Sequence, residues 1–341
     1  MGNQQILKQN IGIDISKDEF DAYLVELTGQ LEVITVGGKR FKNNDKGIEE
    51  FIKWAEKKAS PLAELEFTME STGVYYENLA YTLFEEGYIV HVVLPNLAKK
   101  YIESLGLRSK TDKLDAKALG RMGVERKLSV WHPASKNIRV LKVLTRERTK
   151  RQKEKTVVKN QLHAIKHSKD RLASSMQRLT ELINFLEQLI SDIDKEISQL
   201  IAEDEVLNVK VRKIISTPGL GITTVACVIA ETNGFAGFNN IKQLQSFAGY
   251  DIKIRESGKW KGKSKISKKG NSYIRHAMYF PAYTIIRHSY HYKAFYDRLL
   301  DKKGESLIAA TAVQRKLLGL IYTLWKKDAC FDPDIESKKV A

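Results

Sequence analysis

The chain has 341 residues, with 57 Lys and Arg against 41 Asp and Glu, a formal net charge of +16 and a pI near 9.5. That length can bury at least two cores, and so strong a positive balance implies a polyanionic partner, nucleic acid before membrane. Cys227 and Cys330 are too few for a disulfide framework or a Cys-based zinc centre, and no stretch has the form of a signal peptide or a bilayer span, so a soluble intracellular protein with no membrane partner is expected.

The first strand is Ile11-Gly12-Ile13-Asp14-Ile15, where β-branched residues alternate around one carboxylate. A buried Asp needs compensation, and a divalent cation shared with other acids is one source. An exposed edge or a cap on the next turn would serve Asp14 equally. Short strands are predicted at 21–27 and 31–36, with Thr28-Gly29 as the hairpin signal, followed by an amphipathic helix over 46–57. Leu65 to Glu70 reads as a strand ending in a carboxylate. Ser71-Thr72-Gly73 follows, then a helix to about Glu86, and an apolar strand over 89–94 closed by Pro95. This order predicts a mixed α/β sheet covered on both faces and is compatible with a ribonuclease H-like domain.

Ser109 to Leu119 reads as a helix start, with Asp112 and Asp115 three apart and therefore on one face. Like charges so placed need a cation between them, or else Asp112 caps the helix while Asp115 favours its positive end. Residues 136–216 contain no Gly or Pro. Leu179, Leu182, Leu186, Leu189, Ile193 and Leu200 recur at spacings of a coiled-coil or helical-hairpin seam, with Glu196 occupying one seam position. Self-association or separation of two domains is the expected role, and the basic stretch 139–169 can track a phosphate backbone or simply face solvent. His163 and His167 have helical metal spacing but no acid cluster beside them, and read as surface.

Thr217-Pro218-Gly219-Leu220-Gly221 separates helices predicted over 206–216 and 222–231. Gly219 and Gly221 would let backbone amides approach a phosphate, as in helix-hairpin-helix elements, although a plain tight turn needs the same glycines. The most basic stretch comes next. Lys253, Arg255, Lys259, Lys261, Lys263, Lys265, Lys268, Lys269 and Arg275 face one acid, Glu256, with Trp260 and Tyr273 interleaved. Lysines neutralise phosphates and aromatic rings stack on bases, so this is a nucleic-acid contact loop. Ser257 within it is a candidate nucleophile, or an ordinary solvated loop serine. Residues 258–264 fall one residue short of a phosphate-binding P-loop, and no strand feeds them into a helix, so no nucleotide cofactor is expected. Helices are predicted over 271–288, kinked at Pro281, and over 292–302 and 306–327, with a loose tail from 331.

Taken in order, Gly12-Ile13-Asp14-Ile15-Ser16-Lys17, Met69-Glu70-Ser71-Thr72-Gly73, Lys110-Thr111-Asp112-Lys113-Leu114-Asp115-Ala116, Pro218-Gly219-Leu220-Gly221, Phe247-Ala248-Gly249, Ser257-Gly258 and Ser267-Lys268-Lys269-Gly270-Asn271 resemble the DEDD transposases of the insertion-sequence one-ten family, bridge-RNA-guided recombinases of bacterial mobile elements. Tyr250 and Asp251 depart from the Leu and Pro expected after Gly249. The resemblance implies an N-terminal RuvC-like domain over 1–130, a coiled-coil connector over 131–205, and a mainly helical C-terminal domain with a helix-hairpin-helix-like element over 206–330. It implies that Asp14, Glu70, Asp112 and Asp115 hold Mg²⁺ or Mn²⁺, and that Ser257 forms a covalent phosphoserine link to DNA, with Ser264 and Ser267 as neighbouring alternatives. Donor and target DNA, a structured guide RNA and a homodimer or tetramer are the implied partners, with the site possible between subunits, in a bacterial cytoplasm at the nucleoid. Two other readings compete: a water-using two-metal nuclease or transposase resembling a junction resolvase, and a non-catalytic nucleic-acid-binding or assembly protein.

Overall fold

A computed structural model describes residues 5–71, 73–106, 109, 111–253, 256–257, 260–261 and 265–333. The chain divides into two compact units, Met1–Pro133 and Ala134–Ala341.

The first unit is built on β1 (Ile6–Ile15), β2 (Glu19–Thr28), β3 (Val33–Lys42), α1 (Asp45–Lys58), β4 (Leu65–Glu70), α2 (Glu77–Glu85), β5 (Ile89–Val93), α3 (Pro95–Ser104) and α4 (Asp112–Glu125). Its sheet has the order β3-β2-β1-β4-β5, with the first three strands antiparallel and β4 and β5 parallel to β1. That is the ribonuclease H-like, RuvC-like arrangement. Being central, β1 is covered on both faces, and Gln9 to Ile13 are all buried. Ile11, Ile13 and Ile15 point to a core shared with Phe20, Phe41 and Phe67, where Phe51 of α1 meets Phe20 edge-on at 5.3 Å. Pro95 does more than close β5: it opens α3, where its missing N–H costs nothing.

The other face of β1 carries Lys8, Asn10, Gly12 and Asp14, and α4 lies directly on it. A Cβ on Gly12 would stand 2.0 Å from the Gly120 nitrogen and 2.1 Å from the Ala116 carbonyl oxygen. No side chain fits between strand and helix there. Gly123 makes the same allowance for Asn10, since its own Cβ would sit 2.2 Å from Asn10 Cγ. The helix is started by Thr111, whose hydroxyl accepts from the Leu114 amide, so Asp112 is the first helical residue and not the cap.

The second unit is mainly helical: α5 (Lys136–His167), α6 (Ala173–Glu203), α7 (Glu205–Ile215), α8 (Ile222–Glu231), α9 (Ile241–Phe247), α10 (Ser272–Ala277), α11 (Tyr279–His288), α12 (Tyr290–Lys303) and α13 (Ser306–Lys327). Short strands β6 (Ile252–Lys253), β7 (Glu256–Ser257), β8 (Trp260–Lys261) and β9 (Lys265–Ile266) lie between α9 and α10. The helices α5 and α6 form an antiparallel hairpin, tied by Arg148 to Asp194 and by Lys159 to Glu187. The buried stripe of α6 is Ile183, Leu186, Ile190, Ile193, Ile197 and Ile201. Leu182 and Glu196 are exposed and correct the predicted seam at those two positions, while its Leu186 and Ile193 lie in the buried stripe and Leu179 and Leu200 pack beside it. The hairpin base joins the main core through Leu141, Leu144, Ile197 and Ile201, against Val225, Val228 and Leu317. Residues 271–288 form two helices that break at Met278. Pro281 lies in the first turn of α11, one turn after that break, and it can neither donate to the Ala277 carbonyl nor pack its ring against it, so the predicted interruption falls at Met278. By length and composition α13 is apolar enough to cross a membrane, against the expectation that no segment is. It carries Arg315 and Lys316 within it and buries Val313, Leu317, Leu318 and Ile321 in the core.

Candidate active site

Strand register and one helix bring the four predicted acids to the same end of the first unit. Ile13 pairs with Met69, so Asp14 and Glu70 emerge next to one another on the same face as β1 and β4 end. The first turn of α4 crosses that end, because the Gly12–Gly120 contact holds the helix against the strand, and Asp112 and Asp115 are the two acids of that turn. Asp14, Glu70 and Asp115 are half-buried, while the Asp112 side chain is 72% exposed.

The electrostatics show that the carboxylates sense one another. Asp14 is pushed up from 3.8 to about 6, first by burial and then by the charges of Asp115, Asp112, Glu70 and Asp21. Asp21 lies opposite Asp14 on β2, with its side chain 4% exposed. It is neutralised by Arg40 of β3, whose Nη2 and Nε donate to it at 2.6 and 3.2 Å. Arg40 also binds Glu19 at 2.6 Å and stands 3.8 Å from Asp112. Nothing in the sequence pattern pointed to Arg40. Its only signal was a lone Arg in the exposed stretch Gly37-Gly38-Lys39-Arg40.

The opposite end of the same sheet face makes an instructive contrast. There Glu66 is held by Lys8 at 3.0 Å and by His91 at 3.1 Å, and these two partners hold its carboxyl below the usual range despite its burial. One end supplies its own cations. At the Asp14 end four other carboxylates push the central carboxyl up, while the Arg40 guanidinium is bonded to Asp21 and Glu19. A cluster of carboxylate oxygens around a half-buried Asp is the donor set that a hard divalent cation takes. Among the described residues no three His, Cys, Asp or Glu already stand in ligand geometry, so holding an ion requires the acids to turn inward, and the exposed Asp112 has the room to do so. Arg40→Gln is expected to move the Asp14 midpoint still higher than about 6, because Asp21 then adds its full charge. Carboxyl-carbon NMR titration reads this directly, and an unchanged midpoint would remove Arg40 from the site.

The remaining predicted residues lie in the second unit. Ser257 is in β7, paired with Trp260 of β8, and Glu256 pairs with Lys261. Ile252 pairs with Ile266 and Lys253 with Lys265, so the described parts of this basic ribbon are two short antiparallel ladders, one of which carries Ser257. Lys268 and Lys269 are exposed at its root. Arg255, Lys259 and Lys263, together with Gly258 and Ser264, lie outside the described residues. Arg275 turns back on its own loop, with Nη1 donating to the carbonyls of Ala248, Gly270 and Asn271 at 2.7 to 3.2 Å, a holding role that a charge count does not reveal. Gly219 has φ +87° and packs on α11, where a Cβ would meet Thr284 Cβ at 3.0 Å. Gly221 precedes α8 with open space around it. His163 and His167 are both exposed, as expected, with ring centroids 4.4 Å apart.

Comparison with known proteins decides the family. Residues 11–165 match the model of the DEDD transposases of IS110, and residues 211–297 match that of the transposase IS116/IS110/IS902 family, together more than half of the chain. The chain belongs to the IS110 family of transposases. It is a DNA transposase or recombinase, which removes the reading as a non-catalytic binding or assembly protein. The transposase is 29% identical over 331 residues to the pilin gene-inverting proteins of Moraxella lacunata and Moraxella bovis, covering 96% of this chain and 99% of each relative. RuvC of Thermus thermophilus, solved in complex with Holliday junction substrate, superposes with a TM-score of 0.26 at 14% identity, over 33% of the transposase and 90% of RuvC.

Proposed function

We propose that this transposase cuts and rejoins DNA through a covalent phosphoserine intermediate. Ser257 is the nucleophile, and Asp14, Glu70, Asp112 and Asp115 hold Mg²⁺ or Mn²⁺. The observation that carries the metal part is the crowding of Asp115, Asp112, Glu70 and Asp21 on the half-buried Asp14 carboxyl. A divalent ion bound there would shield phosphate oxygens and lower the pKa of a coordinated hydroxyl. The serine hydroxyl attacks a DNA phosphorus and gives up its proton. The bond to the departing strand's oxygen breaks, and that strand leaves as a free hydroxyl. One phosphodiester is exchanged for one phosphoserine ester, so rejoining to a new strand is the reverse step and needs no nucleotide cofactor. Lys253, Lys265, Lys268 and Lys269 on the ribbon would neutralise the backbone while Trp260 stacks on a base.

The further parts of the reading are a bridge RNA as guide, assembly as a dimer or tetramer, and residence at the bacterial nucleoid. The net charge of +16 supports a large polyanionic partner, and Val157, Leu182 and Phe185, left exposed along the α5–α6 hairpin, support self-association. The Moraxella relatives are named for inverting a gene, and the same cut-and-rejoin chemistry would serve inversion or insertion here.

A second reading keeps the acids and replaces the serine with water activated at two metals. It is favoured by the acid set being complete within the first unit. Trapping on a nicked suicide duplex carrying the element's junction separates the two. Wild type is expected to form a covalent DNA adduct that Ser257→Ala lacks, with the rate falling by at least ~10³-fold. An adduct retained in Ser257→Ala, or cleavage with no adduct in wild type, hands the reaction to water.

A further inference from the structure

The ribbon that carries Ser257 leaves and re-enters the helical unit through a tight clasp. Ser267 N donates to Asp251 O at 2.6 Å, Lys268 N to Gly249 O at 3.1 Å, and Asn271 N to Phe247 O at 2.7 Å. A Cβ on Gly270 would stand 2.3 Å from Phe247 O, so the two chain segments touch backbone to backbone. Arg275 binds three carbonyls from both sides of the clasp. Asn271 then ties the clasp to the helices. Its Oδ1 accepts from Ile274 N and caps α10, while its Nδ2 donates to Glu231 Oε2 at 2.5 Å.

Glu231 is the last residue of α8, and its side chain is 1% exposed. Arg146 of α5 grips it with two bonds, Nε to Oε1 at 2.6 Å and Nη2 to Oε2 at 2.9 Å, while lying over the Tyr273 ring at 4.8 Å. With Glu231 buried and the Arg146 side chain 44% exposed, the pair contributes little stability that apolar packing could not match; what it does supply is fixed geometry, here a bidentate fork plus one directional amide. The pair sits at the root of a lever. Ile252 and Ile266 leave the clasp as a pair, and Ser257 follows five residues along the chain, so a change of direction at that root displaces the serine. Misplacement of a reacting atom by 1 Å can cost ~10²-fold in rate.

We infer that Glu231 is a positioning residue for strand cleavage: through Asn271 it fixes the root of the serine ribbon, and through Arg146 it makes that root move as one piece with α5. The inference rests on the reading of Ser257 as nucleophile. The discriminating variant is Asn271→Asp, which keeps the cap oxygen but sets a carboxylate against Glu231. With full-length protein and a nicked suicide duplex at saturating concentration, adduct formation is expected to slow by ~10²-fold while duplex affinity stays within about twofold; the melting temperature falls as well, because a second carboxylate then faces the buried one. Adding Glu231→Gln restores a donor facing Asp at 271 and is expected to recover the rate to within ~10-fold of wild type. Asn271→Ser, which keeps the cap and drops the amide, gives the same slowing should the Asp variant not fold. A wild-type rate in a folded 271 variant overturns the inference. So does a parallel loss of rate, affinity and melting temperature that the second substitution does not repair. Ser257→Ala run alongside keeps the two ideas apart: an adduct retained there sinks the nucleophile, whereas an adduct lost there but formed at full rate in Asn271→Asp sinks only the positioning role.

Discussion

Asp14→Asn yields a transposase that forms no recombinant product yet, without divalent ions at pH 7.5, melts higher than the parent. The stability half of that result follows from the titration of Asp14. Its carboxyl ionises near pH 6 in the folded chain against 3.8 as the ordinary value. Below pH 3.8 both folded and unfolded chains hold the proton, and the group is neutral to stability. Between 3.8 and about 6 the folded chain keeps a proton that the unfolded chain has released, so stability falls as pH rises; above about 6 the penalty is complete. Two pKa units set a ceiling of about 3 kcal/mol, and because Asp14 is only half-buried, solvent screening reduces this to about 1–2 kcal/mol, or roughly 3–6 °C for a unit of this size. The asparagine variant avoids the penalty. Its advantage should vanish near pH 4, and millimolar Mg²⁺ should raise the melting temperature of the parent while leaving the variant where it is. Calorimetry at the two pH values, with and without Mg²⁺, checks all three. An Asn variant that melts lower than the parent at pH 7.5 would mean that the acids do not crowd one another.

Gly12→Ala carries the largest structural penalty expected anywhere in the first unit. The added methyl would meet the Gly120 nitrogen, the Ala116 carbonyl oxygen and Gly120 Cα, all within 2.7 Å. All three are backbone atoms and cannot rotate aside, so α4 must lift off β1. That uncovers Leu119 and Met122 and separates Asp112 and Asp115 from Asp14. Overpacking ordinarily costs 1–3 kcal/mol; lifting a whole helix should exceed about 4 kcal/mol and leave the first unit open to proteolysis at 37 °C. Gly120→Ala is the milder companion. Its methyl meets the movable Val25 Cγ2 at 2.8 Å and the Gly12 nitrogen at 3.0 Å, so a folded protein with weakened Mg²⁺ affinity is expected. Limited proteolysis and Mg²⁺ titration grade the pair, and normal behaviour of Gly12→Ala in both would show that the contact does not set the site.

What could be read along the chain were features whose signal is local. Alternation of Ile and polar residues announced β1, a carboxylate closed β4 at Glu70, and the spans of α8 and α13 followed from apolar runs with clear stops. What could not be read were partnerships across the fold. Arg40 meets Asp21 only because β2 and β3 pair in one register, and Glu231 meets Asn271 and Arg146 only after three helices pack. The seam of α6 was legible at Leu186 and Ile193 and missed at Leu182 for a different reason: leucines and isoleucines alternate there closely enough that a count of either type finds helical spacing, and packing against α5 selects the phase.

The backbone contact of Gly12 with Gly120 and Ala116 also bears on how the enzyme can be tuned. A carboxylate delivered by main chain resting on main chain has no compliant layer beneath it, so substitutions at Gly12 act as a breaker and not as a dial. Asp112, standing outward in solvent at the start of that helix, is where an engineer seeking graded attenuation should begin.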